Sequence, residues 1–202
     1  GEVLGLCWHH IDFENATVTI EQAVTQVDGA HDAGREAREI TPPKTDAGKR
    51  VVSIDGELLT HLRSWKAVQA CELYRIGIRQ TQNTPVCCYM TGERVGEYMN
   101  PPTLTRQFGR FCDEHDFRST TGKRLCFHEL RHGQASYLLA AGEDLITVAA
   151  RLGHASPSVT SDMYAHAMPQ RDRDCAATIA SLTQNRHKRN VIEMPEKIEL
   201  SA

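Results

Sequence analysis

No stretch of this 202-residue chain approaches the roughly 18 consecutive apolar residues that a membrane-spanning helix needs, and no basic-then-apolar leader opens it. The expectation is therefore a soluble, cytoplasmic protein with no membrane partner. An excess of positive charge is missing too: 23 Lys and Arg face 26 Asp and Glu, for a formal charge of −3. A domain devoted wholly to gripping nucleic acid is ordinarily basic, so any such role must rest on local clusters or on residues outside this chain. Nor do the cysteines form a framework. Seven is an odd count with scattered spacing, and the adjacent Cys87 and Cys88 are poorly placed to bridge or to share a metal. A reducing compartment is expected. Repeats and low-complexity segments are absent as well. What remains is 40% apolar, close to an ordinary globular domain, and the length suits one large domain that folds without staples.

The opening GEVLGLCW reads as a helix already under way, with Val3, Leu4 and Leu6 apolar and no cap ahead of them. The chain is accordingly expected to be a piece of something longer. Thr17 to Val24 alternates with β-branched residues and predicts a strand; Asp28 to Gly34 reads as a polar loop. Glu36 to Thr41 and Arg50 to Ile54 predict two more strands, giving a small antiparallel meander with Lys44 beside its last turn. From Glu57 helices take over. Leu58, Leu62 and Trp65, flanked by Leu59 and Val68, predict an apolar face over about three turns. Thr103 is the expected cap of a helix carrying Leu104, Phe108, Phe111 and Cys112. FHELRHGQASYLLAAG predicts a helix ending at Gly142, and Asp144 caps a short one ending at Gly153. Ser156-Pro157 opens another, and a last amphipathic stretch carries Cys175, Ala176, Ile179 and Leu182. The fold class is mainly α with a small antiparallel β-meander, an α+β domain over residues 1–184, followed by a loose charged tail, 185–202.

The segment from His128 to His166 is the informative one. It contains HELRH, RLGH and TSDMYAH, so His128 and Arg131 are followed by Leu152-Gly153-His154 and, ten residues beyond, by Tyr164. This pattern resembles the C-terminal catalytic domain of the tyrosine recombinases, the phage and mobile-element integrases. GEVLGLCWHHID resembles the family's first box, with Glu2 at its Glu position; the box's Arg would stand two residues before Gly1. PKTDAGKRVVSI resembles the family's lysine hairpin, which makes Lys44 the candidate lysine. The likeness covers about Gly1 to Leu182. It implies the recombinase catalytic-domain fold and site-specific cutting and rejoining of double-stranded DNA through a 3′-phosphotyrosine, with neither metal nor cofactor. It also implies an N-terminal clamping domain, a homotetramer on paired DNA sites in the full-length protein, and a place on the bacterial nucleoid. Cys175, Ile179 and Leu182 are the candidates for packing on a neighbouring protomer, although the same stretch can fold back on its own domain. This fragment alone is expected to be monomeric and inactive.

The chemistry fits the residue types. Cleaving a phosphodiester without metal calls for a nucleophile, neutralised non-bridging oxygens and an acid for the leaving oxygen. A tyrosine hydroxyl, with a free pKa of roughly 10, needs activation. Arg131 offers a planar fork that matches phosphate and keeps its proton, and His128, three residues earlier on a helix, shares its face. His154 can donate a hydrogen bond to the same group. Lys44 can protonate the leaving oxygen, and Tyr164 is the candidate nucleophile. Each residue alone has an ordinary explanation: a solvated hairpin lysine, a helix-end His, a surface Tyr. Only the joint spacing overturns these. His132 and His166 read as packing and helix-end residues. Arg106, Arg110, Lys123 and Arg124 are candidate phosphate contacts, which position a duplex without reading it.

Two rival readings stand. His128-Glu129-Leu130-Arg131-His132 satisfies H-E-x-x-H, the zinc-protease signature, with Glu143 or Asp162 as a third ligand. That reading leaves RLGH, Tyr164 and the hairpin lysine unexplained. The other is a DNA-binding module that has lost catalysis.

Overall fold

The structure is a computed structural model. It describes residues 1–32, 35–43, 45–119, 122–154 and 156, with backbone alone for 28–32 and 35–37. The chain starts on a short helix, α1 (Glu2–Gly5), a 3-10 turn (Trp8–His10) and strand β1 (Ile11–Asp12). The Asp12 carboxylate then accepts the backbone N–H groups of Glu14 and Asn15, both at 2.9 Å. This side-chain-closed turn sends β2 (Thr17–Ile20) back antiparallel to β1.

The expected single meander is two sheets. β2 pairs not with the next strand but with β5 (Arg50–Ser53), Val18 opposite Val52, and the three-stranded order is β1-β2-β5. Between β2 and β5 the chain leaves as a separate hairpin of β3 (Ala23–Asp32) and β4 (Arg35–Thr41). The strand expected over Thr17 to Val24 breaks at Glu21 and Gln22 for a local reason. The Gln22 amide donates to the Gly5 carbonyl at 2.7 Å and to the Tyr98 hydroxyl at 3.2 Å, which turns this residue toward α1. The loop expected from Asp28 to Gly34 is instead strand as far as Asp32. Its polar, Gly-containing stretch is taken up by a register shift between Gln26 and His31, while His31 pairs with Glu36 and Asp32 with Arg35.

Helix α2 (Gly56–Arg75) begins where Asp55 accepts the Leu58 N–H at 2.8 Å, and it runs two turns beyond the apolar pattern. Its buried residues are Leu59, Gln69 and Leu73, while Leu58 and Val68 are exposed. Helix α3 (Pro101–Glu114) is capped by Asn100, not Thr103. Pro101 and Pro102 sit in its first turn, where a missing N–H costs nothing. Helix α4 (Phe127–Ala140) and helix α5 (Leu145–Leu152) follow, the latter capped by Asp144 as expected. The described residues thus form an α+β fold of five helices and two small antiparallel sheets. Six described cysteines are free thiols, and no described helix is long and apolar enough to cross a membrane.

One apolar cluster joins the first sheet to α2: Trp8, Ile11, Val18 and Val86, with Leu62 and Trp65 packed against them. A polar residue sits inside it. Gln69 is fully buried, accepts the Trp8 indole N–H at 2.7 Å and donates to the Pro85 carbonyl at 3.0 Å. Gln69→Leu keeps the volume but strands that indole N–H and that carbonyl, so about 2–3 kcal/mol of stability should be lost. Urea unfolding measures it; an unchanged midpoint would mean that the interior repacks around the leucine.

Candidate active site

Helix α4 starts at a capping box in which the Glu129 carboxylate accepts the Cys126 N–H at 2.8 Å. Phe127 stacks on Phe108 of α3, ring centroids 4.3 Å apart. These contacts fix the first turn of α4, and with it His128 and Arg131, which share one cleft of about 390 Å³ with Glu2, Leu4, Leu104 and Phe127. His132 stands beside His128, their rings 4.9 Å apart, edge to face.

The second half of the site is the C-terminal end of α5. Ala135 and Leu139 of α4 and Val148, Ala149 and Leu152 of α5 are buried where these helices meet. The last carbonyls of a helix have no partner within it and carry the negative end of its dipole. Two guanidiniums take them here. Arg131 donates to the Leu152 carbonyl, and Arg50, from β5, donates to the Arg151 carbonyl at 2.8 Å. Gly153 then closes the helix in the left-handed region, φ +70°, and His154 follows half-buried, its N–H on the Ala149 carbonyl at 3.0 Å. Arg131, on one helix, and His154, at the end of another, are thereby brought together.

Glu2 is the counter-charge. Its carboxylate takes two hydrogen bonds from Arg50, at 3.0 and 2.9 Å, and lies 3.9 Å from Arg131 Nη1. Burial raises the Glu2 carboxyl, but the Arg50 hydrogen bond and the charges of Arg50 and Arg131 outweigh it and hold the group below its ordinary value. The carboxylate therefore stays ionised at neutral pH. His154 is pushed below its usual value by burial first, then by the positive charges of Arg131, His132 and Arg50. Protonation therefore favours the unfolded chain: this contribution to stability is complete above the unfolded pKa of roughly 6.5 and declines as pH falls below it. At neutral pH the imidazole is a neutral hydrogen-bonding group set in a positive field, an arrangement suited to an anion.

Gly153 has two reasons to be glycine. Its φ penalises any side chain, and a Cβ there would meet Arg50 Nη1 at 2.5 Å. Gly153→Ala should cost about 1–3 kcal/mol and displace Arg50. Denaturant melts of the two proteins check this; equal midpoints would show that Arg50 swings aside freely.

Lys44 and Tyr164 lie outside the described residues, as do Asp162, His166, Cys175, Ile179, Leu182 and the tail. Arg106 and Arg110 are exposed on α3, and Lys123 and Arg124 are exposed in the link before α4. Arg124 also donates to Asp113 at 3.2 Å and lies against Gly109. The H-E-x-x-H reading meets a physical obstacle, because the Glu129 carboxylate is engaged as the helix cap. Among the described residues the donors that gather closely enough for a metal are Cys7, His9 and His10, not His128, His132 or Glu143. Arg50 and its link to Glu2 are the features that sequence reading missed. The one signal was an arginine opening the strand that follows the candidate lysine hairpin.

Fold and site together define an α+β domain that clusters Arg and His side chains around the end of one short helix. Comparison places it: the sequence pattern of the phage integrase family matches residues 1–171. The chain belongs to that family. It is 32% identical over 186 residues to the ICEBs1 integrase of Bacillus subtilis, covering 90% of this chain and 45% of that protein. To a XerC-like tyrosine recombinase of Caldanaerobacter subterraneus it is 28% identical over 184 residues, covering 90% and 46%. The chain thus spans less than half the length of these curated relatives. Among solved structures it shares its fold with the Tn1549 transposon integrase bound to transposon right-end DNA, at a TM-score of 0.64 and 20% identity, covering 89% of this chain and 54% of that one. The XerA recombinase matches at 0.58 and 20%, covering 88% and 52%.

Proposed function

We propose that this chain is the catalytic part of a site-specific DNA recombinase of the integrase type, one that cuts and rejoins double-stranded DNA through a covalent phosphotyrosine. The observation that carries the reading is the meeting of Arg131 with the end of α5, one residue pair before His154, above a cleft that His128 also lines. The relatives' names, integrase and tyrosine recombinase, support it.

In this reading Arg131, His128 and His154 surround the scissile phosphate. Arg131 neutralises a non-bridging oxygen and the two imidazoles donate hydrogen bonds, more strongly as charge grows in the transition state. The Tyr164 oxygen attacks phosphorus as its proton leaves to solvent water, the bond to the 5′ oxygen breaks, and Lys44 gives the leaving oxygen its proton. The 3′-phosphotyrosine keeps the bond energy, so a 5′ hydroxyl from a partner duplex reverses the step without ATP. No step calls for a metal or cofactor. With a net charge of −3, this chain holds DNA only through local groups such as Arg106, Arg110, Lys123 and Arg124, so its own binding is weak and collapses as salt rises. Pairing of duplexes by a homotetramer, on the chromosome in the cytoplasm, belongs to the full-length protein; the chain alone is monomeric.

The test is trapping. A duplex nicked next to the scissile phosphate lets the short 5′ piece diffuse away, so the full-length protein should remain bonded to the 3′ end, with or without chelator. Failure to form any adduct on its own element's end sequences would sink the reading.

A further inference from the structure

Arg50 has no part in the chemistry proposed above, yet every nitrogen of its guanidinium is placed. Nε donates to the Arg151 carbonyl at 2.8 Å, Nη1 to Glu2 Oε1 at 3.0 Å and to the Gly48 carbonyl at 2.9 Å, and Nη2 to Glu2 Oε2 at 2.9 Å. Its side chain is only 11% exposed. A strand arginine serving solubility alone would point to water and hold no fixed set of acceptors.

Both groups that Arg50 grips adjoin the proposed machinery. Glu2 Oε2, which it fixes, stands 3.9 Å from Arg131 Nη1. The Arg151 carbonyl, which it caps, precedes the Leu152 carbonyl that takes Arg131, and Gly153 and His154 come next. The contacts span 48 and 101 residues of sequence, tying α1, β5 and α5 at one point. Arg50 and Arg131 would repel one another as cations, and Glu2, held in a fixed pose between them, is the charge that lets them crowd. We propose that Arg50 is a positioning residue of this site: it locks Glu2 and the last turn of α5, and through them sets where Arg131 and His154 stand. The proposal rests on the recombinase reading above.

Its test uses the full-length protein and the nicked duplex, with Arg50→Met, Arg50→Lys, Glu2→Gln and the Arg50→Met/Glu2→Gln pair. Three quantities are read for each: the melting temperature, the dissociation constant for intact duplex, and the single-turnover rate of adduct formation. Arg50→Met should slow adduct formation about 100-fold while duplex affinity stays within about threefold, the pattern of lost transition-state positioning. Arg50→Lys, which keeps the charge and can reach one set of acceptors, should recover about tenfold of that loss. Because Arg50 acts through Glu2, the double variant should be no slower than the worse single one.

A wild-type rate in folded Arg50→Met would overturn the proposal, as would losses that multiply in the double variant. A lowered melting temperature with an unchanged rate would make Arg50 a strut for the fold and nothing more. Should Arg50→Met fail to fold, Arg50→Lys and Glu2→Gln decide by the same rates. Arg131→Ala, run beside them, separates the two levels. An adduct lost there but kept in Arg50→Met sinks only the positioning role, whereas no adduct from the wild-type protein sinks the recombinase reading and this proposal together.

Discussion

Tyr164→Phe is expected to abolish the covalent adduct, a loss of at least about 10⁴-fold, with melting temperature and duplex affinity nearly unchanged. The substitution removes one oxygen and keeps the ring, so any packing the side chain makes is preserved while the proposed nucleophile is gone. Other tyrosines are poor substitutes. Tyr98 is pushed up to about 12 by burial and by its contact with Cys7, which leaves its hydroxyl firmly protonated. Tyr137 is well exposed on α4, but six residues beyond Arg131 it is turned about 240° around the helix from it. Tyr137→Phe is thus a fitting control and should trap DNA at the wild-type rate. Denaturing gels of labelled duplex read both variants. An undiminished adduct in Tyr164→Phe would remove that residue from the role, and loss in Tyr137→Phe would transfer it.

The parts of the fold that the sequence discloses are those decided within one turn. Asp144 is three residues from the N–H it caps, and Gly153 ends α5 through its own backbone freedom, so both helix limits are legible in the sequence. The cap falls on Asn100 and not on Thr103, because two prolines that resemble a break are compatible with a start at the first helical positions. Pairing of strands is a different matter. β2 and β5 are joined across a 29-residue excursion, and alternation within each cannot say which strand lies beside which. A one-sheet meander and two sheets have the same local pattern.

The site divides along the same line. His128 and Arg131 are one helical turn apart, so their common face follows from spacing alone. That Arg131 reaches the carbonyl before Gly153 needs the packing of α4 on α5, which neither periodicity nor the family resemblance discloses; the resemblance implies only that Arg131 and His154 serve one phosphate. Arg50 escaped both routes. Its meaning lies in partners 48 and 101 residues away, and a lone arginine at a strand start has the same local appearance in a solvated hairpin. Glu129 shows the opposite error: the H-E-x-x-H pattern draws attention to it as a base, while its carboxylate closes the helix it begins.

Arg131→Ala is expected to slow adduct formation by roughly 10³-fold, about 4 kcal/mol, the upper range for losing one strong charge-stabilising donor. Two physical terms add. The phosphate loses its fixed positive partner, and Glu2, left with Arg50 alone, presents more of its negative charge toward the place where the phosphate would sit. Stability should change far less. Arg131 is a third exposed and gives the fold one hydrogen bond, to Leu152, worth about 1 kcal/mol. Arg131→Lys should fall between, about 10²-fold down, because an ammonium keeps the charge but cannot span a carbonyl and a phosphate as a planar fork does. A readout without DNA accompanies the rates. The positive charge of Arg131 is one of the causes, after burial, that hold His154 below its ordinary value. Removing it should raise the His154 imidazole pKa toward roughly 6.5, and Arg131→Lys should move it less. Proton NMR titration of the His154 ring measures this directly. A slow Arg131→Ala whose His154 titrates as in the wild type would mean that the guanidinium and the imidazole do not share one field, and the site would have to be rebuilt without one of them.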